Sequence, residues 1–199
     1  MKRAVVLALA GIFLLALNSC ILDPKEGKTP PKPTQPYKDL SGERDNVLFN
    51  LEKSYNERNI DQYNKLLDND FVFHFSNVDV QQGNVNVTQW DRAAEINANK
   101  NMFDPNFNKP GVEPVSSIDL SLTYVAGDNN WTQVTPPDPV KYPGETWYEK
   151  IVNYTLTVKA GSNEYQGLNI QASFVVRWAT VEGQSYWRIV SWHDDTGTH

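Results

Sequence analysis

His74 interrupts an aromatic run, Phe71-Val72-Phe73-His74-Phe75, on the face opposite the three phenylalanines. An imidazole there can act as a base or orient a ligand, because its charge changes near neutral pH. The alternative is a histidine on the polar face of a half-buried strand. Arg177, between Val176 and Trp178, can hold an anionic ligand or a carboxylate, or simply point at solvent as alternate residues of a strand do. Trp90 and Trp192 are large enough to wall a pocket, although such rings more often build core. Asp194 and Asp195 stand with His193 and His199, metal-ligating types all. Adjacent acids diverge in an extended chain, so this segment reads as a solvated tail. No zinc spacing of Cys and His, no glycine-rich phosphate loop and no Gly-x-Ser-x-Gly elbow is present. The sequence asks for neither a metal nor a cofactor.

The chain begins with Lys2 and Arg3, then fourteen apolar residues from Ala4 to Leu17. That run suits a secretory signal and falls short of the roughly 20 residues that span a bilayer. It ends in Leu17-Asn18-Ser19-Cys20, which resembles the lipobox of bacterial lipoproteins. The resemblance implies a signal peptide over 1–19, cleavage before Cys20, and diacylglycerol on the Cys20 sulfur as the membrane anchor. It also implies a place in the cell envelope, and Ile21 rather than an aspartate points to the outer membrane of a Gram-negative cell. Cys20 is the single cysteine, so no disulfide within the chain contributes to stability. Residues 20–40 follow as a tether, with Pro24, Pro30, Pro31, Pro33 and Pro36 set among polar residues. Such composition favours extended polyproline conformations with a reach of about 60 Å.

What must position the candidate residues is the remaining stretch, 41–199, long enough for one domain with a good core. It carries 12 Lys or Arg against 21 Asp or Glu and no basic stretch, which excludes nucleic acid as a partner. Val47, Leu48, Leu51 and Tyr55 recur at helical spacing between Glu43 and Arg58. Asn59 then caps a shorter helix with Tyr63, Leu66 and Leu67 inward. Phe71–Phe75 reads as a strand. A third helix is expected from about Gln89 to Met102, opened by Thr88 and Asp91, with Trp90, Ala93 and Ala94 as its apolar side. Alternating patterns then predict strands at Ile118–Tyr124, Val152–Val158, Leu168–Trp178 and Tyr186–Trp192, and the proline-rich Trp131–Trp147 reads as a connection.

Helices, a strand, a helix and then an antiparallel meander make an α+β order. The run Leu48–Phe75, with Tyr55, Arg58, Tyr63, Leu66-Leu67, Asp70 and the Phe-Val-Phe-His-Phe strand, resembles the nuclear-transport-factor-2-like superfamily. Its members include SnoaL-like and ketosteroid-isomerase-like proteins, and the ending Trp187–Asp194 looks like their final strand. The resemblance implies a cone: a strongly curved antiparallel sheet wrapped around N-terminal helices, as in cystatin-like folds, with a pocket at the open end. Trp192 would then lie near that end and Trp187 on the other face. Isomerases of this kind use an acid and hydrogen-bond donors in an apolar pocket; Tyr55, Tyr63, Tyr154 and Asp91 are of the right types, with core packing the ordinary role for Tyr55 and Tyr63. The pocket set is thus His74, Tyr63, Trp90, Tyr154, Arg177 and Trp192. The leading expectation is a noncatalytic, lipid-anchored module for a small apolar or aromatic ligand or an envelope protein. The rival is an isomerase, hydratase or cyclase with a pocket histidine or acid as base, and the third is an assembly subunit or homodimer that uses the sheet face.

Overall fold

The computed structural model describes residues 35–107, 109–181 and 183–195. The signal segment, Cys20, the tether up to residue 34 and His199 lie outside the described residues, and among the described residues no helix is long and apolar enough to cross a membrane. The folded unit starts at Pro36. Its first residues already lie on a helix, since the Asn50 amide brackets Lys38 by donating to its carbonyl and accepting from its N–H, both at 2.8 Å.

Two helices open the fold, α1 (Asp45–Asn56) and α2 (Ile60–Leu66). Val47, Leu48, Leu51 and Tyr55 of α1 are buried, as the 3.6-residue spacing requires. Asn59 caps α2 by accepting from the Gln62 N–H. Strand β1 (Leu67–His74) follows, then a short helix α3 (Asn77–Gln81), strand β2 (Gln89–Asp91) and helix α4 (Arg92–Phe103). The third helix thus starts later than its sequence suggests. Asp91 alone caps it, through the Ala94 N–H, while Trp90 belongs to β2, and Ala93 is exposed. The stripe that α4 buries is Glu95, Asn99 and Phe103.

The rest is sheet: β3 (Val115–Thr123), β4 (Thr132–Val134), β5 (Trp147–Ala160), β6 (Asn163–Val181) and β7 (Gln184–Asp195). The seven strands form one curved, unclosed sheet in the order β2-β1-β7-β6-β5-β3, with β4 also on β5. The fold is α+β, with α1, α2 and α4 packed on the inner face. Among the described residues all strand pairings are antiparallel except β1 with β7, which run parallel and set Phe73 beside Trp192 and His74 beside His193.

Two bulges change the faces that alternation predicts. In β7, Ser191 pairs Val175 and Ile189 pairs Val176, so Val190 is an extra residue. Parity shifts there, and Trp187 packs against the same inner core as Ile189 and Trp192 rather than on the opposite face. In β6, Asn169 adopts φ 52° beside the second irregularity, and Leu168, expected inside, is exposed. The C-terminal segment is likewise no solvated tail as far as Asp195: it continues β7 against Ala172 and Gln171.

The outer edge of the sheet is closed by α1. Asn56 donates to the Leu120 carbonyl at 2.9 Å and accepts from its N–H at 2.7 Å, and Glu52 accepts from the Leu122 N–H. These bonds occupy the open side of β3, which would otherwise template pairing with another chain. Asn56→Ala is expected to cost about 1–3 kcal/mol, the penalty of stranding two backbone groups, read as the shift in the urea unfolding midpoint.

Candidate functional site

Between α4 and the inner face of the sheet lies a cavity of about 230 Å³. Its wall is aromatic: Phe73 from β1, Trp90 from β2, Tyr154 from β5 and Trp192 from β7, with Leu120, Leu156 and Met102 completing it. The parallel rung between β1 and β7 places the Phe73 and Trp192 rings edge to face at 5.3 Å. Trp192 also meets Tyr154 edge to face at 6.1 Å, and Phe73 meets Trp90 at 5.9 Å.

The polar groups of the cavity come from helices. Glu95 is buried and accepts from the Tyr63 hydroxyl and from the Asn99 amide, the latter at 2.7 Å. Asn99 sits one turn along α4 and donates to the Glu95 carbonyl as well. Tyr55 crosses Tyr63 edge to face at 5.3 Å, and its hydroxyl lies against Tyr63 and Asn99. Burial pushes the Glu95 carboxyl above its ordinary range; Tyr63, Trp90 and Asn99 pull the other way without cancelling it. Burial likewise raises the Tyr55 and Tyr63 phenols, so both stay protonated donors. Three buried atoms of cavity-lining residues have no hydrogen-bond partner: Trp90 Nε1, Trp192 Nε1 and Asn99 Oδ1. The Trp90 indole lies close enough to Glu95 to favour its charged form, yet short of full hydrogen-bond geometry.

Three of the six residues read from sequence, Trp90, Tyr154 and Trp192, line this cavity together. Tyr63 lies beneath it, bound to Glu95. His74 does not reach it. It is on the outer face of the sheet, stacked on His193 with ring centroids 4.1 Å apart and planes 1° from parallel. Burial, then the neighbouring imidazole, lowers its pKa, which keeps it neutral near pH 7. Arg177 is also on the outer face, and the expectation of a solvent-pointing side chain fails there. Its guanidinium bonds Asp68 through Nε at 3.0 Å and Nη2 at 2.9 Å, and Glu145 through Nη1 at 3.0 Å. The connection 136–146 folds back over that part of the sheet, seating Tyr142 and Trp147 with Val175 and Val190. Asp91, named for its type, is spent capping α4. Tyr154 donates to Asp194 at 3.0 Å. Among the described residues no group of three or more His, Cys, Asp or Glu is placed to hold a metal.

Glu95 was the residue to find. The signal is an i, i+4, i+8 stripe in α4, Glu95-Asn99-Phe103, in which two buried positions are polar. Its titration gives a signed expectation. A carboxyl raised in the folded state adds stability below the unfolded pKa, near 4.3, and loses it as pH rises through the folded value. The wild-type chain should therefore gain stability relative to Glu95→Gln as pH falls from 7 toward 4.5. At pH 7 the amide variant should lie within about 1 kcal/mol of wild type. Paired urea titrations measure this; a difference constant across that range would mean Glu95 titrates like an exposed acid.

No protein-family model matches the chain, and no curated protein matches it. Among solved structures it is similar to an NTF2-like protein of unknown function in nutrient uptake from Rhodospirillum rubrum, at 12% identity over 79% of this chain and 100% of that one, TM-score 0.46. It is also similar to an uncharacterized protein with a cystatin-like fold from Caulobacter vibrioides (12% identity, 76% and 85% covered, TM-score 0.42). A third is a candidate scytalone dehydratase from Novosphingobium aromaticivorans (9% identity, 75% and 78% covered, TM-score 0.43).

Proposed function

We propose that this chain is a lipid-anchored envelope protein whose folded domain binds a small apolar or aromatic molecule in the cavity between α4 and the sheet. The observation that carries the binding reading is the aromatic wall of Phe73, Trp90, Tyr154 and Trp192 around a preformed space. Small-molecule sites are typically concave, mostly apolar and marked by a few convergent polar groups, which here are Glu95, Asn99 and Tyr55. The anchor at Cys20, the signal peptide before it and the outer-membrane address come from the sequence. Two or three acyl chains would hold the protein stably, where one would not.

Native mass spectrometry of residues 21–199 from a bacterial host tests the binding reading. A reproducible adduct of a few hundred daltons or less, lost in Trp192→Ala, is the expected result. A clean apo mass, together with no binding of any single-ring aromatic probe, would overturn it. For the anchor, Cys20→Ser should move the full-length protein from the membrane fraction to the soluble one and abolish its lipid mass increment; an unchanged distribution would sink that part.

A second reading, in which the cavity performs acid–base chemistry as an isomerase, hydratase or cyclase, is supported by Glu95. A carboxyl whose pKa burial raises above its ordinary range, and which a phenol touches, can give or take a proton at a bound substrate. His74, on the opposite face of the sheet, is no candidate for that role. Under this reading Glu95→Gln binds substrate but fails to turn it over; under the first, binding is all there is to lose.

A further inference from the structure

We propose that the β1–β7 seam is the gate of the inner cavity and that the stacked His74 and His193 rings are its pH-sensitive latch, closed near neutrality and opened by acid to release an apolar ligand. The proposal deepens the ligand-binding reading above and rests on it for the nature of the ligand.

The seam divides the cavity wall. Phe73 and Trp90 stand on β1 and β2, whereas Trp192, Tyr154 and Leu120 stand on β7, β5 and β3. With the strands ordered β2-β1-β7-β6-β5-β3, the two halves of the wall meet where β1 joins β7. That junction holds by three consecutive rungs, Val72 with Ser191, Phe73 with Trp192 and His74 with His193, after a register irregularity between Leu67 and Val72. The base of the seam is fastened separately. Arg188 of β7 donates to the Lys65 and Leu67 carbonyls at 3.1 and 3.2 Å, and Arg177 of β6 holds Asp68. The histidine rung is the last of the three, so the seam is anchored at one end and closed at the other by the stack.

Successive residues of a strand point to opposite faces. On the cavity side the Phe73 and Trp192 rings lie 5.3 Å apart. One rung further, on the outer side, the His74 and His193 centroids lie 4.1 Å apart with their planes 1° from parallel. Parting the outer pair parts the inner one.

Neutral imidazoles tolerate this stacking, whereas two imidazoliums at that separation repel. Burial and then the adjacent ring hold His74 below its ordinary pKa, so near pH 7 the closed pair carries at most one proton. The acids around the stack are engaged elsewhere. Asp70 on β1 binds Lys141, and Asp91 on β2 caps α4. Asp138 of the 136–146 connection accepts from the Val140 and Lys141 N–H groups. Asp194 on β7 accepts from Tyr154, Asp79 of α3 from Ser76, and Glu149 on β5 from Ser173, which pairs His193. Together they do not lift His74 to its ordinary value. A ring released to water returns to about 6.5, so the open form binds more protons as pH falls below that point. Between there and the closed-state value, each pH unit shifts the balance toward opening by up to about tenfold.

Residues 21–199 labelled with 5-fluorotryptophan report the gate directly, with the Trp192 resonance assigned by Trp192→Phe. Between pH 7.5 and pH 5.5 the Trp192 fluorine signal should move or split toward a second state. Over the same range toluene should come to bind about tenfold more weakly. His74→Phe keeps a stacking ring and removes a proton site, and should hold both readouts constant; His193→Phe should do the same from the other side of the seam. Glu95 acts in the opposite sense, because its protonation in acid makes the cavity a better host for a neutral apolar probe. Tighter toluene binding in acid would therefore overturn the latch. So would a wild-type Trp192 signal that stays fixed across the range, or a pH response that both histidine variants retain. If toluene binds at no pH while the Trp192 signal still follows His74, the gate stands and the ligand reading fails.

Discussion

Arg177→Met is expected to destabilise the domain by about 3–5 kcal/mol, the cost of leaving a buried charge without its partner. Asp68 is fully buried, and the Arg177 guanidinium bonds both of its oxygens in a planar fork. The same guanidinium meets both Glu145 oxygens and lies over the Tyr142 ring, 4.8 Å from its centroid. Methionine fills the space of the stem but supplies no charge, so Asp68 must find water or open the loop above it. For a domain of this size about 3–5 kcal/mol corresponds to a fall in Tm of roughly 6–20 °C. Arg177→Lys keeps the charge and loses the fork, and should fall between the two. Thermal unfolding followed by circular dichroism gives the answer. A loss under about 1 kcal/mol for Arg177→Met would mean that solvent reaches Asp68 once the arginine is gone, and that the loop 136–146 is a loose cover.

That cluster also shows where sequence reading stops. The pattern around Val176 and Trp178 gives the strand and correctly sets Arg177 on the face opposite Phe174 and Val176. Whether that face is wet depends on a distant proline-rich connection, 136–146, and no local periodicity reports where a loop of that kind comes to rest. The helices were legible because amphipathic spacing is local: Val47, Leu48, Leu51, Tyr55, Tyr63 and Leu66 are all buried, while Leu67, read as the end of the second helix, is buried as the first residue of β1. The bulge at Val190 was not, because a single inserted residue leaves the sequence pattern intact while exchanging the faces on either side of it. Trp90, Tyr154 and Trp192 could be picked out one at a time as large side chains, and the curvature of the sheet is what brings them together. Glu95 was hidden for a different reason. A glutamate in a helix reads as a solvated position, and its burial follows from partners, Tyr63 and Asn99, that only the packed fold supplies.

The second large effect lies at the other end of the inner face. Lys150 is buried on β5, on the same side as Val152 and Tyr154, and its ammonium bonds Asp45 at the start of α1. It also donates to the Val125 carbonyl at 3.1 Å and lies 4.9 Å from the Trp131 ring centroid. Asp45 in turn accepts from the Trp131 indole at 2.8 Å and from the Gly127 N–H. One ion pair thus fastens the 124–131 segment between α1 and the sheet. Lys150→Met should cost about 3–5 kcal/mol, since Asp45 keeps two donors but loses its counter-charge. Pairing it with Asp45→Asn should recover much of that loss, because replacing both members of a buried pair is far milder than removing one. The pH dependence separates this from simple loss of packing. Burial by itself would raise the Asp45 carboxyl, but Lys150, Gly127 and Trp131 outweigh it and hold its pKa below the ordinary range. A depressed carboxylate contributes stability above its unfolded pKa, near 3.9, and loses it as pH falls through the folded value. In Lys150→Met the desolvation of Asp45 stands without the ammonium, so the wild-type advantage should shrink as pH is lowered below about 4. Urea unfolding of the four members of the cycle at pH 7 and pH 3.5 measures both effects. If Lys150→Met and the double variant were equally unstable at pH 7, the contribution of Lys150 would be its packing against Trp131 and Tyr124, and the ion pair would add nothing beyond it.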